Sequence, residues 1–278
     1  MPKGSDVPVT PTVVKWALDE SGFTPKAVAQ AIDVPYETVR AWTTGELRPK
    51  VTELRAFAQW LNRPLATFLL PAPPPSSLPA VQFRSVPRSD RRAPYPGERL
   101  RLREAARLQT VLSWINRELQ RSAVALPRLK ITGDPKAAAA ATRIRLGVTS
   151  EVQQSWRSPS AALEGWRSAL EDSGVFVLML PLGEELCRGF SLWEEYAPLI
   201  AANTAWNIEA RIFTLFHEYG HLLTRTSSAC AEASARRTVA NDDPAERWCE
   251  QFASAVIIPA ADLKRYLNRP GIAGGSNG

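Results

Sequence analysis

Apolar positions in the first 70 residues fall into short helix-spaced groups, separated by polar or proline-containing breaks. The spacing predicts a helix over 11–20 that stops at Gly22 and a second that opens on Thr24 as N-cap with Pro25 in its first turn. A third is expected over 36–43, ending at Gly45, a fourth over 51–61 and a short fifth near 65–69. Five short helices joined by brief turns make a compact all-α unit. The run PAPPPSSLP at 71–79 cannot continue a helix and marks a boundary. Helical periodicity returns over 96–120, from Asp134 and Pro135 to Leu146, and over 160–173. From Gly174 the pattern changes to short apolar runs, VFVLMLP and APLIAAN, which suit strands of a small sheet. Residues 198–203 are either an edge strand, on which an extended substrate adds by main-chain hydrogen bonding, or an internal strand of the sheet. Helix is expected again over 209–223 and 244–258. The fold class is therefore α+β, with an all-α domain over 1–70, a Pro/Arg-rich linker over 71–95, a larger domain over 96–270 and a flexible tail over 271–278.

Composition adds boundaries to this picture. With 278 residues, 45% of them hydrophobic, both units can bury a core. No run approaches the roughly 18 apolar residues of a membrane span, and MPKGSDVPVT lacks the pattern of an export signal, so a cytoplasmic location without a membrane partner is expected. Cys187, Cys230 and Cys249 are too few and too widely spaced for a disulfide framework and read as reduced thiols. The net charge of +6 is concentrated: residues 84–107 carry eight arginines against Asp90, Glu98 and Glu104. Such a segment is a candidate for phosphate contacts or a solvated linker.

The chemistry is concentrated in FTLFHEYGHLL, residues 213–223, which holds the only two histidines of the chain. On a helix, His217 and His221 share one face and can reach one ion, with Glu218 beside them as a base for an activated water. Catalytic zinc takes three protein ligands, and with no third histidine a carboxylate or cysteine must complete the set. Downstream candidates are Glu232, Asp242, Asp243, Glu246, Cys249 and Glu250. Spacing on the helix that follows Asp243 and Pro244 leaves Glu246 and Glu250 equal. Zn²⁺ is the expected ion and Mn²⁺ the alternative. Tyr196, Arg188 and Arg211 are candidates for steadying a developing oxyanion.

In order, LEDSGVFVLML, RGFSL, APLIAAN, RIFTLFHEYGHLL and AERWCEQFASAVIIP resemble the ImmA/IrrE family of zincin-like metallopeptidases. The resemblance implies a zinc-dependent endopeptidase and selects Glu246 as third ligand, three residues before the small residue Cys249 and followed by Phe252 and Ala253. Glu250, where the family commonly has Asn or Asp, is then a candidate for orienting an imidazole. It further implies a helix-turn-helix repressor as substrate, in a DNA-damage, stress or mobile-element response.

Residues 24–44, TPKAVAQAIDVPYETVRAWTT, resemble the helix-turn-helix of lambda-repressor-like (XRE-type) regulators. The resemblance makes Ala29 the small residue packed between helices and aims Tyr36, Glu37, Thr38 and Arg40 at bases, with Gln30, Arg48 and Lys50 near phosphates. Asp33 stands at the turn position usually given to Gly. Residues 1–70 hold eight basic and seven acidic side chains, a balance that also suits a protein-interaction module. Two classes of function result: an endopeptidase carrying a DNA-binding domain, or a DNA-binding transcription regulator whose peptidase-like domain only senses.

Overall fold

The computed structural model describes residues 6–74, 96–182, 187–226 and 243–268. The chain divides into two compact units, Met1–Pro79 with Arg92–Arg107, and Ala80–Arg91 with Leu108–Gly278.

In the first unit, helices α1 (Pro11–Ser21), α2 (Pro25–Ala31), α3 (Tyr36–Thr44) and α4 (Val51–Trp60) precede a 3₁₀ turn at Leu65–Leu69. The local signals act as the sequence suggests. Thr24 Oγ1 accepts the Ala27 amide at 3.2 Å, and Gly22 and Gly45 close α1 and α3 in the left-handed conformation at φ 75° and 83°. Val13, Val28, Val39, Trp42, Leu54, Phe57 and Phe68 form the core, with Phe57 edge-on to both Trp42 and Phe68. Two guanidinium groups are buried with them. Arg103 donates to the Leu61 carbonyl at 2.6 Å, while Arg63 lies over the Trp16 ring and 3.6 Å from Glu20. Burial, with the charge of Arg103 added to it, lowers Arg63 to about 10 despite Glu20.

Helix α5 (Pro96–Glu118) enters the second unit at Leu108. There follow α6 (Pro135–Arg145), α7 (Ser150–Ser155), α8 (Pro159–Asp172), β1 (Phe176–Leu180), β2 (Gly189–Leu192), β3 (Leu199–Asn203), α9 (Ile208–Thr224), α10 (Pro244–Ile257) and α11 (Ala260–Leu267). The strands form one sheet in the order β1-β3-β2, with β1 and β3 parallel and β2 antiparallel to β3. Of the two readings of 198–203 the internal one holds and the edge one does not: β3 is central, paired on both sides and buried at every residue. Its unbroken LIAA run is the pattern of a strand covered on both faces. The edge beside it is β2. A side chain could not be added at Gly189, where a Cβ would strike Thr214 Cγ2 of α9 and the Ala201 carbonyl at 2.5 Å. Glycine thus lets the edge strand run against the helix that carries the histidines.

Rings fix α9 from the other side. Trp166 of α8 meets Phe216 edge-on at 4.7 Å and Trp156 at 5.1 Å. Arg143 of α6 donates to the Val256 carbonyl at 2.7 Å, and Trp248 Nε1 to Gly133 O at 2.8 Å, holding α10. The expectation of reduced thiols fails at Cys187, which is disulfide-bonded; Cys249 is a free, buried thiol. Cys230 lies outside the described residues. No described helix is long and apolar enough to cross a membrane.

Candidate metal centre

Helix α9 starts at Asn207, whose side chain accepts the Ala210 amide at 2.8 Å. From Thr214 onward it is buried almost all round. Glu218 is 4% and His221 1% exposed, whereas the His217 side chain keeps 18%. Helix α10 opens on Asp243, whose carboxylate accepts the Ala245 amide at 2.8 Å and so serves as a cap rather than a ligand. The two helices touch through a glycine: a Cβ at Gly220 would sit 3.1 Å from Cys249 Sγ and 3.3 Å from Phe252.

That contact determines which acid faces the imidazoles. With Cys249, Ala253 and Val256 turned inward, Glu246 projects from the rim of the same face, and Glu250 lies about 40° further round. Glu246 Oε2 is 3.1 Å from His217 Nε2, and Oε1 is 3.3 Å from His221 Nε2. The two Nε2 atoms are 3.1 Å apart. These three residues form the one His/Cys/Asp/Glu group able to hold a metal ion among the described residues. Donors held at about 2.0–2.1 Å around a tetrahedral ion stand roughly 3.3–3.4 Å apart, close to the spacing observed. Burial acts on Glu246 to raise its carboxyl, but hydrogen bonds from His217 and His221, with their charge, overcome this and hold it well below the usual carboxylate range.

A hydrogen-bond chain behind His221 favours a proton on Nδ1. Thr224 donates to the Gly220 carbonyl at 2.9 Å, which spends its only proton. Thr226 Oγ1, 2.8 Å from Thr224 Oγ1, is then placed to donate to it. Its lone pair then accepts from His221 Nδ1 at 2.8 Å. Nδ1 then carries a proton, and Nε2 faces a Glu246 carboxylate oxygen at 3.3 Å. A positive charge between them, a proton on Nε2 or a bound metal ion, holds the two atoms at this distance. Sequence reasoning did not find Thr226. It is brought under His221 because Arg225 ends α9 in the left-handed conformation at φ 55°, a stop usually announced by Gly.

Residues 170–271 match the IrrE N-terminal-like domain, Peptidase_M78. Peptidase_M78 is a metal-dependent peptidase family, so the match and the His217, His221 and Glu246 cluster together support a metallopeptidase type of centre. The matched range includes both histidines, Glu218 and Glu246 and excludes the first unit. Comparisons with curated proteins and with solved structures give no match.

The other expected site residues lie elsewhere. Glu250 is half-buried and bonded to neither imidazole. Arg211 donates to the Trp206 and Thr204 carbonyls at 2.6 and 2.7 Å, which fixes the turn before α9. Arg188 lies over the Trp206 ring and Tyr196 under Arg117. Glu232 and Asp242 fall outside the described residues.

In the first unit, Gln30, Tyr36, Glu37, Arg40, Arg48 and Lys50 are exposed, Thr38 is half-buried and Ala29 is buried. Asp33 takes φ 54°, as its turn position requires. Arg40 is held by Glu37 at 2.7 Å and faces Glu46 at 3.7 Å. Within the Arg-rich stretch, Arg99 donates to Asp19 O, Arg101 pairs with Glu104 and Arg103 is buried. Residues 84–95 lie outside the described residues.

Proposed function

We propose that the second unit is a zinc-dependent endopeptidase of the ImmA/IrrE type, with His217, His221 and Glu246 as ligands and Glu218 as general base. The observation that carries this reading is the convergence of His217 Nε2, His221 Nε2 and the Glu246 carboxylate, each 3.1 to 3.3 Å from the next. Zinc held there supplies Lewis acidity sufficient to bring a water's pKa to about 7. Glu218 takes a proton from the attacking water and passes it to the leaving amine, next to its histidine neighbour in the chain and shielded from solvent. Thr226 and Thr224 keep Nδ1 protonated, so Nε2 stays a ligand. The outer edge of β2 offers main-chain groups to an extended substrate segment. By resemblance, the substrate is a helix-turn-helix repressor in a stress, DNA-damage or mobile-element response, in the cytoplasm.

Residues 24–50 are proposed to bind DNA as a helix-turn-helix. The Arg40 pairing with Glu37 and Glu46 favours a second reading, in which this unit meets a protein partner, because a phosphate would have to displace both acids. Metal analysis and a cleavage assay test the main proposal. Purified protein should carry one zinc per chain and cut a repressor encoded beside its gene, and chelator should stop the cut. A metal-free protein that cleaves equally well would overturn it.

A prediction specific to this chain concerns Thr226. Thr226→Val removes the acceptor for His221 Nδ1 at nearly constant volume, and should weaken zinc affinity about 10- to 100-fold, with Thr226→Ser restoring it. Competition with a chromogenic chelator reads the change directly.

A further inference from the structure

Helix α5 is inverted in the second unit. Its inward residues there are polar: Gln109, Ser113 and Asn116 are buried. Gln109 donates to the Leu192 and Ala197 carbonyls at 2.8 Å and Asn116 to Tyr196 O at 2.7 Å, which fastens the helix to the β2–β3 connection. The apolar residues face outward. Leu108, Val111, Ile115 and Leu119 are 40%, 51%, 37% and 60% exposed and, with half-buried Leu112, occupy one stripe about 100° wide. Such a stripe is the mark of a helix that packs against another helix.

We propose that this stripe is a homodimer interface, on which α5 of a second copy packs antiparallel. Three features select that occupant. First, the stripe is self-complementary: around a two-fold axis between Ser113 and Trp114, Leu108 of one copy falls opposite Leu119 of the other, and Leu112 opposite Ile115. Second, the charges at its margin favour the antiparallel direction. Arg107 and Glu118 are exposed on the same edge and form no ion pair among the described residues. Antiparallel packing brings each near its opposite, whereas parallel packing leaves the two charged edges on opposite sides of the pair, where neither finds a partner. Third, the area is of the right order. The four exposed side chains present on the order of 350 Å² of apolar surface per copy, within the roughly 300–600 Å² of patches that are often functional. A stable dimer buries about 800 Å² per partner, so this helix pair alone gives a dimer that dissociates on dilution.

Sedimentation equilibrium of the full chain over a wide concentration range tests the proposal. The wild type should pass from monomer to dimer as concentration rises. Val111→Glu with Leu119→Glu places charge on exposed positions, where folding is unaffected, and should raise the dissociation constant at least about tenfold. Ile144→Glu, at an exposed site on α6, should leave it unchanged. Glu118→Arg should weaken the dimer, and adding Arg107→Glu should restore it. Helical circular dichroism and melting temperature report that each variant is folded. A wild type monomeric throughout, a double variant that still dimerises, or an Ile144→Glu protein that dissociates as readily would overturn the interface. Failure of the charge swap to restore association would overturn the antiparallel packing.

Discussion

Glu218→Gln should lower the rate of substrate cleavage about 10²- to 10⁴-fold while leaving zinc content and melting temperature near those of the wild type. The carboxylate is 4% exposed on a helix packed on nearly all sides, so a residue of equal size opens no cavity. The amide cannot take a proton from water, and it is not one of the three atoms that converge on the proposed ion. Single-turnover cleavage of a repressor-type substrate, measured beside zinc per chain, separates the base from the ligands. Unchanged turnover would remove Glu218 from the mechanism. Loss of zinc together with turnover would instead make it part of the metal site.

The second large effect is expected at Glu246. Glu246→Ala leaves the two imidazoles 3.1 Å apart with no carboxylate before them, and two neutral ligands should not retain zinc through dialysis. Zinc should fall from about one per chain to near zero. Glu250→Ala, by contrast, should keep most of it, because that side chain reaches neither histidine. Cys249→Ala should also keep its metal: burial, with the nearby Glu246 and Glu218 charges added, pushes the thiol far above the range in which it is a ligand. Stoichiometric zinc in Glu246→Ala beside an empty site in Glu250→Ala would reverse the assignment.

Much of the secondary structure was legible because its boundaries carry local chemistry. Thr24, Asp134 and Asp243 each cap a helix with Pro at its start, and the helices begin where these residues indicate. Strand β2 was not read, since Gly and Ser within GFSL weaken the strand signal, although the register against β3 buries all four residues. Without β2, an edge and an internal place for residues 198–203 stayed equally open. Helices α7 and α11 are short, six and eight residues, and bury none of their side chains, so each offers too few turns for a period to be read. At the site, HExxH spacing announced the histidines, but Glu246 and Glu250 are one turn apart on a helix whose rotation depends on the Gly220 contact. Thr226 was hidden by a left-handed Arg225.

The Gly220 contact also bears on how the site can vary. The distance from the histidine helix to the Glu246 carboxylate is governed by two side chains that bind nothing, a hydrogen atom at 220 and a thiol at 249. What the site requires is their combined size. A methyl group gained at 220 is tolerable only where 249 gives up comparable volume, so the two positions are coupled and neither alone is invariant. Coordination geometry in this protein is a property of a packing pair as much as of its ligands.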